Sequence, residues 1–188
     1  MVAWKARLAS IGTAVTFDYP YMREGRRAPD RLPQLIAAHR TSIGDAMSAH
    51  AAPLVLAGKS MGSRVGCHVA LEESSVRALV CFGYPLRGAG KKAGLRDEVL
   101  LALRTPILFL QGTRDPLCPL DLLESVRAKM QAPSTLHVVD GGDHSLLVTA
   151  TALRARGHTQ ADEDARTLAV VETFLSDVLA SDVSARGA

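Results

Sequence analysis

Pro53-Leu-Val-Leu-Ala-Gly-Lys-Ser-Met-Gly-Ser-Arg64 decides how this 188-residue chain is read. Its first half, Pro53 to Ala57, is an apolar run of the length of a buried strand. Gly58-Lys59-Ser60-Met61-Gly62 then spells G-x-S-x-G, and residues 64–73 read as a helix. A strand, a tight turn and a helix around a central serine make a nucleophile elbow. The turn strains its serine, so the flanking positions must be nearly free of side chain, and glycine meets that need. The Ser60 hydroxyl is thereby lifted to the tip of the sheet. The backbone N–H of Met61, at the helix start, is aimed at the same spot, where an oxyanion would be held.

Gly58-Lys59-Ser60 also resembles the end of a phosphate loop. That loop requires G-x-x-x-x-G-K-[ST], and the position five before Gly58 is Pro53. The residues between them are Leu, Val, Leu and Ala, which build a strand and not a phosphate cradle. Nucleotide binding is not expected here.

Outward from the elbow, the chain alternates short apolar runs with helical patterns. Residues 2–10 carry Val2, Trp4 and Leu8 at helical spacing, and Gly12 closes them. Residues 13–17 are β-branched and predict a strand. An Arg/Gly/Pro loop follows, then a long helix over 32–48 with Leu35, Ile36, His39, Ile43 and Met47 on one face. Further strands are predicted at 78–82, 106–111 and 136–139, and further helices at 96–103, 120–130 and 162–179. Residues 87–94 form a Gly/Lys loop expected to be mobile. Five strands alternating with helices predict an α/β fold, a three-layer αβα sandwich with a mostly parallel sheet. Residues 1–180 make one domain, and residues 181–188 are expected to fray.

Composition bounds the remaining possibilities. Hydrophobic residues are 47 % and charged residues 22 %, values of a globular protein with a core. The net charge of +3 is too mild to imply nucleic acid, and Arg23, Arg26, Arg27 and Arg31 read as a solvated loop. Cys67, Cys81 and Cys118 are odd in number and lack C-x-x-C spacing, so reduced thiols in a cytoplasmic or nuclear compartment are expected. No apolar run reaches membrane-spanning length and no signal-peptide pattern opens the chain, so no membrane association is expected. His and acidic residues do not cluster at zinc spacing, and no dinucleotide fingerprint follows a strand, so no cofactor or metal is expected.

Reactive groups of open α/β sheets collect at the carboxyl ends of strands. Ser60, Asp115 and His144 all follow predicted strands, and Ser…Asp…His is the chain order of one known triad arrangement. Ser60 would attack an acyl carbon, His144 would take and return its proton, and Asp115 would hold the imidazole. Each residue also has a plainer reading. Asp115 would make only an Asx turn, and Asp143-His144 would be only a turn. Asp140 and Asp143 compete for the acid role but lie so near His144 that they suit loop-shaping better. His137 within a strand and His158 in a loop are poor bases. Cys118 reads as a loop thiol, and Lys59 as facing away from the site.

The segments Thr16-Phe-Asp-Tyr-Pro-Tyr-Met22, Ala57-Gly-Lys-Ser-Met-Gly-Ser-Arg64, Gly83-Tyr-Pro-Leu86, Gln111-Gly-Thr-Arg-Asp115 and Asp140-Gly-Gly-Asp-His-Ser145 resemble an α/β-hydrolase-like group. That group is named after testis-expressed protein 30 and subunit 3 of the non-specific-lethal histone acetyltransferase complex. The likeness runs from about Trp4 to about Leu179, and the G-T-R-D-P-L-C-P-L-D run is most similar to plant members. It implies an α/β-hydrolase fold with Ser60, Asp115 and His144 as the triad and Met61 as an oxyanion donor. Members of the group begin with further strands and a His-Gly loop, which are lacking here, and the resemblance implies an N-terminally truncated form. The missing strand would lie between 13–17 and 54–57, and the missing loop would carry the second oxyanion donor. Weakened turnover and an exposed sheet edge, open to a protein partner or to self-association, are therefore expected.

The leading expectation is a serine hydrolase acting on a small-molecule ester, thioester or amide. Lys91 and Lys92 in the 87–94 loop would favour an anionic acyl group, and the plainer reading of that stretch is a solvated loop. The alternative is a non-catalytic interaction module, as in a chromatin-complex subunit, since fold does not fix function. A ligand receptor on the same fold is a third possibility.

Overall fold

Period-two alternation in the two central strands divides their side chains between two cores. Ala78, Val80 and Phe82 join Leu108 and Leu110 on one side of the sheet, while Leu79 and Cys81 join Ile107 and Phe109 on the other. Strands covered on both faces read as continuous apolar runs, and these two do. The computed structural model describes residues 2–88 and 94–186. In chain order its elements are α1 (Val2–Leu8), α2 (Pro20–Arg23), α3 (Leu32–Ala49), β1 (Leu54–Lys59), α4 (Met61–Ala70), β2 (Val76–Phe82), α5 (Glu98–Ala102), β3 (Ile107–Gly112), α6 (Leu120–Arg127), β4 (Ser134–Val139), α7 (Ala150–Arg156) and α8 (Gln160–Arg186).

The sheet is parallel throughout, in the order β1-β2-β3-β4. Right-handed crossovers in an unreversed parallel order put every intervening helix on the same face. Accordingly α4, α5 and α6 pack with α3 around Leu56, Leu79 and Phe109. The opposite face has to be covered by what precedes β1 or follows β4. Trp4 and Leu8 of α1, Leu153 of α7, and Val171 and Phe174 of α8 do so, with Trp4 against Phe82 at 4.7 Å between ring centroids. The result is the αβα sandwich of an α/β-hydrolase fold. Each large apolar side chain sealed in these layers contributes roughly 1.5–3 kcal/mol.

One predicted strand is not a strand. Residues 13–17 are irregular and belong to no ladder, although their composition favours β structure. A strand exists only with a neighbour, and among the described residues the outer side of β1 carries none. Ala57 on β1 is exposed and Val15 is 54 % exposed. Phe17 is instead held by rings, 5.0 Å from both Tyr19 and His39. Among the described residues four strands therefore replace the five expected. The helix expected over 162–179 runs from Gln160 to Arg186, and residues 187–188 lie outside the described part.

His39 is a packed histidine of α3, as its place on the apolar face suggested. It is buried, and its Nδ1 lies 3.3 Å from Tyr19 Oη. Burial lowers its pKa to about 4. The folded protein thus keeps His39 neutral while the unfolded chain takes up a proton near the ordinary value of about 6.5. The stabilisation is fully present above that value and is lost as pH falls toward 4. At pH 4.5 the expected loss is roughly 2–3 kcal/mol. Urea unfolding at pH 7 and 4.5 measures it, and His39→Gln should flatten the difference by that amount. An unchanged difference would assign the acid sensitivity to other groups.

Candidate active site

Ser60 sits between the last residue of β1 and the first of α4 with φ 52° and ψ −117°. A non-glycine residue in that region is strained, and the surroundings must over-determine it. Here the Ser60 N–H donates to the Phe82 carbonyl of β2 at 3.0 Å. The Ser60 carbonyl accepts from Ser63 Oγ at 2.6 Å and from the Arg64 N–H at 3.2 Å. A Cβ at Gly58 would lie 2.6 Å from the Gly62 carbonyl oxygen, so glycine at 58 is required by the closeness of the turn. The helix starts at Met61, three residues before the Arg64 start read from sequence, because the turn is complete at Ser60. The N–H of Met61, in the first turn of α4, has no intrahelical acceptor and is free for an oxyanion.

Asp115 follows β3 in the turn Gly112-Thr-Arg-Asp115. It is 3 % exposed, and both its oxygens are engaged. Oδ1 accepts the Leu117 N–H at 2.9 Å, the Asx-turn bond of the plainer reading. Oδ2 lies 2.8 Å from His144 Nδ1 and accepts from Gln111 Nε2 at 2.6 Å. The two readings of Asp115 hold together, one on each oxygen. Burial pushes its carboxyl upward, but the bonds from His144, Leu117 and Gln111 outweigh that and leave it below the usual range. Gln111 is a site residue that motif reading does not single out. The signal that marks it is an amide in a strand otherwise apolar and wholly buried. Its Oε1 has no protein partner.

His144 completes the arrangement, with Nε2 2.8 Å from Ser60 Oγ. Because the Asp115 carboxylate can only accept, the proton belongs on Nδ1, and Nε2 is left to accept from the Ser60 hydroxyl. The loop around it is shaped by Asp143, whose Oδ1 accepts the N–H groups of Ser145 at 2.7 Å and Leu147 at 3.0 Å. Leu146 takes φ 63° in the same turn. Asp140 is held by Arg156 Nη2 at 2.5 Å. Neither acid is hydrogen-bonded to the imidazole.

The other candidates are engaged elsewhere. His137 Nε2 is 3.3 Å from Thr167 Oγ1, and His158 meets Glu163 and Arg166. Cys118 is fully buried, and burial, reinforced by Asp115, pushes its thiol up to about 12, which suits an inert thiol. Lys59 differs from expectation. It reaches across to the His144 loop, where Nζ donates to Ser145 Oγ at 2.6 Å. Arg26 of the basic loop pairs with Glu24 and Asp30. Lys91 and Lys92 lie outside the described residues. Among the described residues no group of three His, Cys, Asp or Glu is placed to hold a metal ion, and no helix is long and apolar enough to cross a membrane.

This arrangement can take a hydroxyl proton at Ser60 onto an oriented imidazole beside a backbone N–H donor. The chain is similar to several solved structures. It is 18 % identical to an alpha-beta serine hydrolase homologue from Coxiella burnetii, covering 77 % of this chain and 67 % of that one with a TM-score of 0.64. A protein of unknown function from Agrobacterium tumefaciens is 14 % identical over 96 % of this chain and 77 % of its own, with a TM-score of 0.69. Est1E from Butyrivibrio proteoclasticus, solved with ferulic acid, is 14 % identical over 95 % and 82 %, with a TM-score of 0.61. The chain spans 60 and 51 % of the length of two esterase structures that it also matches. At these identities the likeness is one of fold. A family model described as alpha/beta hydrolase domain matches residues 1–176, nearly the whole chain. The chain belongs to the alpha/beta hydrolase domain family.

Proposed function

We propose that the chain is a serine hydrolase that cleaves an ester, thioester or amide through an acyl-enzyme on Ser60. The observation that carries this reading is the continuous relay Ser60 Oγ–His144 Nε2 and His144 Nδ1–Asp115 Oδ2, with both contacts at 2.8 Å. Ser60 Oγ attacks the acyl carbon as its proton passes to His144 Nε2. The imidazolium, stabilised by Asp115, returns that proton to the leaving group. Water then repeats the sequence and releases the acid. The developing oxyanion is met by the Met61 N–H at the start of α4. Activated short acyl esters, whose leaving groups need the least help, are the first substrates to try. The Gly58–Arg64 elbow supports a place near the testis-expressed protein 30 group within the family.

Among the described residues β1 is an edge of the sheet, and this supports a second reading, an interaction module that uses the fold without its chemistry. Labelling with a fluorophosphonate separates the two. Modification mapped to Ser60, and abolished by Ser60→Ala and by His144→Ala, is the expected result. A folded wild-type chain that takes no label would overturn the hydrolase reading in favour of binding.

A further inference from the structure

The loop that carries His144 is tied chiefly to the Asp115 side of the site. The Arg114 N–H donates to the Gly142 carbonyl at 2.9 Å, and the Gly141 N–H donates to Thr113 Oγ1 at 2.7 Å. Farther along, Gln160 of α8 clasps the loop through the Leu146 carbonyl at 3.2 Å and the Val148 N–H at 3.0 Å. None of these bonds reaches the elbow. These bonds alone do not fix the distance between His144 and Ser60.

Apart from the bond between Ser60 and His144, the side-chain bond described between elbow and loop is that from Lys59 Nζ to Ser145 Oγ, 2.6 Å long and spanning 86 residues. Its two ends flank the reacting pair in sequence: Lys59 precedes Ser60, and Ser145 follows His144. Both are partly buried, so the bond is charge-assisted and shielded from bulk water. Ser145 is itself held from behind, its N–H on Asp143 Oδ1 at 2.7 Å, so a pull on its hydroxyl is transmitted to the backbone of the loop.

We propose that Lys59 is a positioning residue, whose ammonium holds the His144 loop onto the elbow through Ser145 and thereby keeps the imidazole against the Ser60 hydroxyl. This rests on the hydrolase reading for its kinetic consequence but not for the tether itself. A displacement of about 1 Å at a reacting pair costs up to ~10² in rate, and loss of one of several ties should cost about a tenth of that, roughly tenfold.

Two measurements on the full chain test it. Amide hydrogen exchange needs no turnover. Lys59→Met and Ser145→Ala should each speed exchange across residues 141–148 while leaving β2 and β3 unchanged, and Ser145→Thr, which keeps the hydroxyl, should restore protection. With a short acyl ester, each of the first two variants should lower kcat about tenfold at unchanged KM. The Lys59→Met/Ser145→Ala double variant should lose no more than the worse single one, since both cut the same bond. Unchanged exchange in the loop, losses that multiply, or an effect confined to KM would each overturn the proposal. A wild-type chain without turnover or label would instead remove the hydrolase reading, and exchange would still decide the tether.

Discussion

Ser60→Ala and His144→Ala are each expected to lower turnover of a short acyl ester by about 10⁴–10⁶, and the double variant by no more than the worse of the two. Both remove the same event, transfer of the hydroxyl proton as the acyl bond forms, so the second loss has nothing left to remove. Asp115→Asn should cost about 10⁴ with the fold intact. Its amide can keep its carbonyl oxygen on the Leu117 N–H, where Asp115 Oδ1 accepts at 2.9 Å, and so place its NH₂ where Oδ2 meets the imidazole. That stabilises the tautomer with the proton on Nε2, which cannot accept from Ser60. Initial rates and the second-order rate of fluorophosphonate labelling measure these losses. Multiplicative losses for Ser60→Ala and His144→Ala would mean that the two residues do not act as a unit. Full activity in Asp115→Asn would mean that the carboxylate does not set the tautomer.

Much of this arrangement is legible in the chain because its determinants are local. A glycine-flanked serine between an apolar run and a helix needs a handful of adjacent residues to be recognised. Chain order and strand ends then nominate Asp115 and His144, and the structure brings all three side chains into one hydrogen-bonded row. The core strands are equally plain, since burial on both faces leaves uninterrupted apolar runs at 78–82 and 106–110. What escaped was non-local. Residues 13–17 have the composition of a strand, but composition does not supply the neighbour that makes one. The tie from Lys59 to Ser145 spans 86 residues, and neither residue is unusual in its own surroundings. Two short helices were missed for other reasons. Four-residue α2 has Pro20 at its start but buries no side chain, and α7 buries only Leu153, so neither has a periodic stripe. The caps of α7, Thr149 and a left-handed Gly157, were its available signal.

The second large effect is expected at two glycines whose chemistry is purely spatial. Gly83, just past β2, has φ 58°, and a Cβ there would stand 2.5 Å from the His144 carbonyl oxygen and 3.2 Å from its Nδ1. Gly112, the last residue of β3, lies so close under the loop that a Cβ would overlap the Gly142 carbonyl and come within 2.6 Å of the Asp143 oxygen. The obstacles are mostly backbone, so no side-chain rotation relieves them. Alanine at either position must lift the loop that carries His144 away from Ser60 and Asp115. Overpacking of this kind costs roughly 1–3 kcal/mol, and at Gly83 the left-handed backbone adds about 1–2 kcal/mol. Displacing the imidazole by about 1 Å should cost up to ~10² in turnover. Gly44 within α3 is the natural control, because a Cβ there meets nothing within 4 Å. Gly44→Ala should gain about 0.5–1 kcal/mol through helix propensity alone, with turnover unchanged. Urea unfolding and initial rates on the three variants separate the two effects. If Gly112→Ala were as active as the wild type, the loop would have room that the close approach of its carbonyls denies, and the placement of His144 would not depend on the sheet edge beneath it.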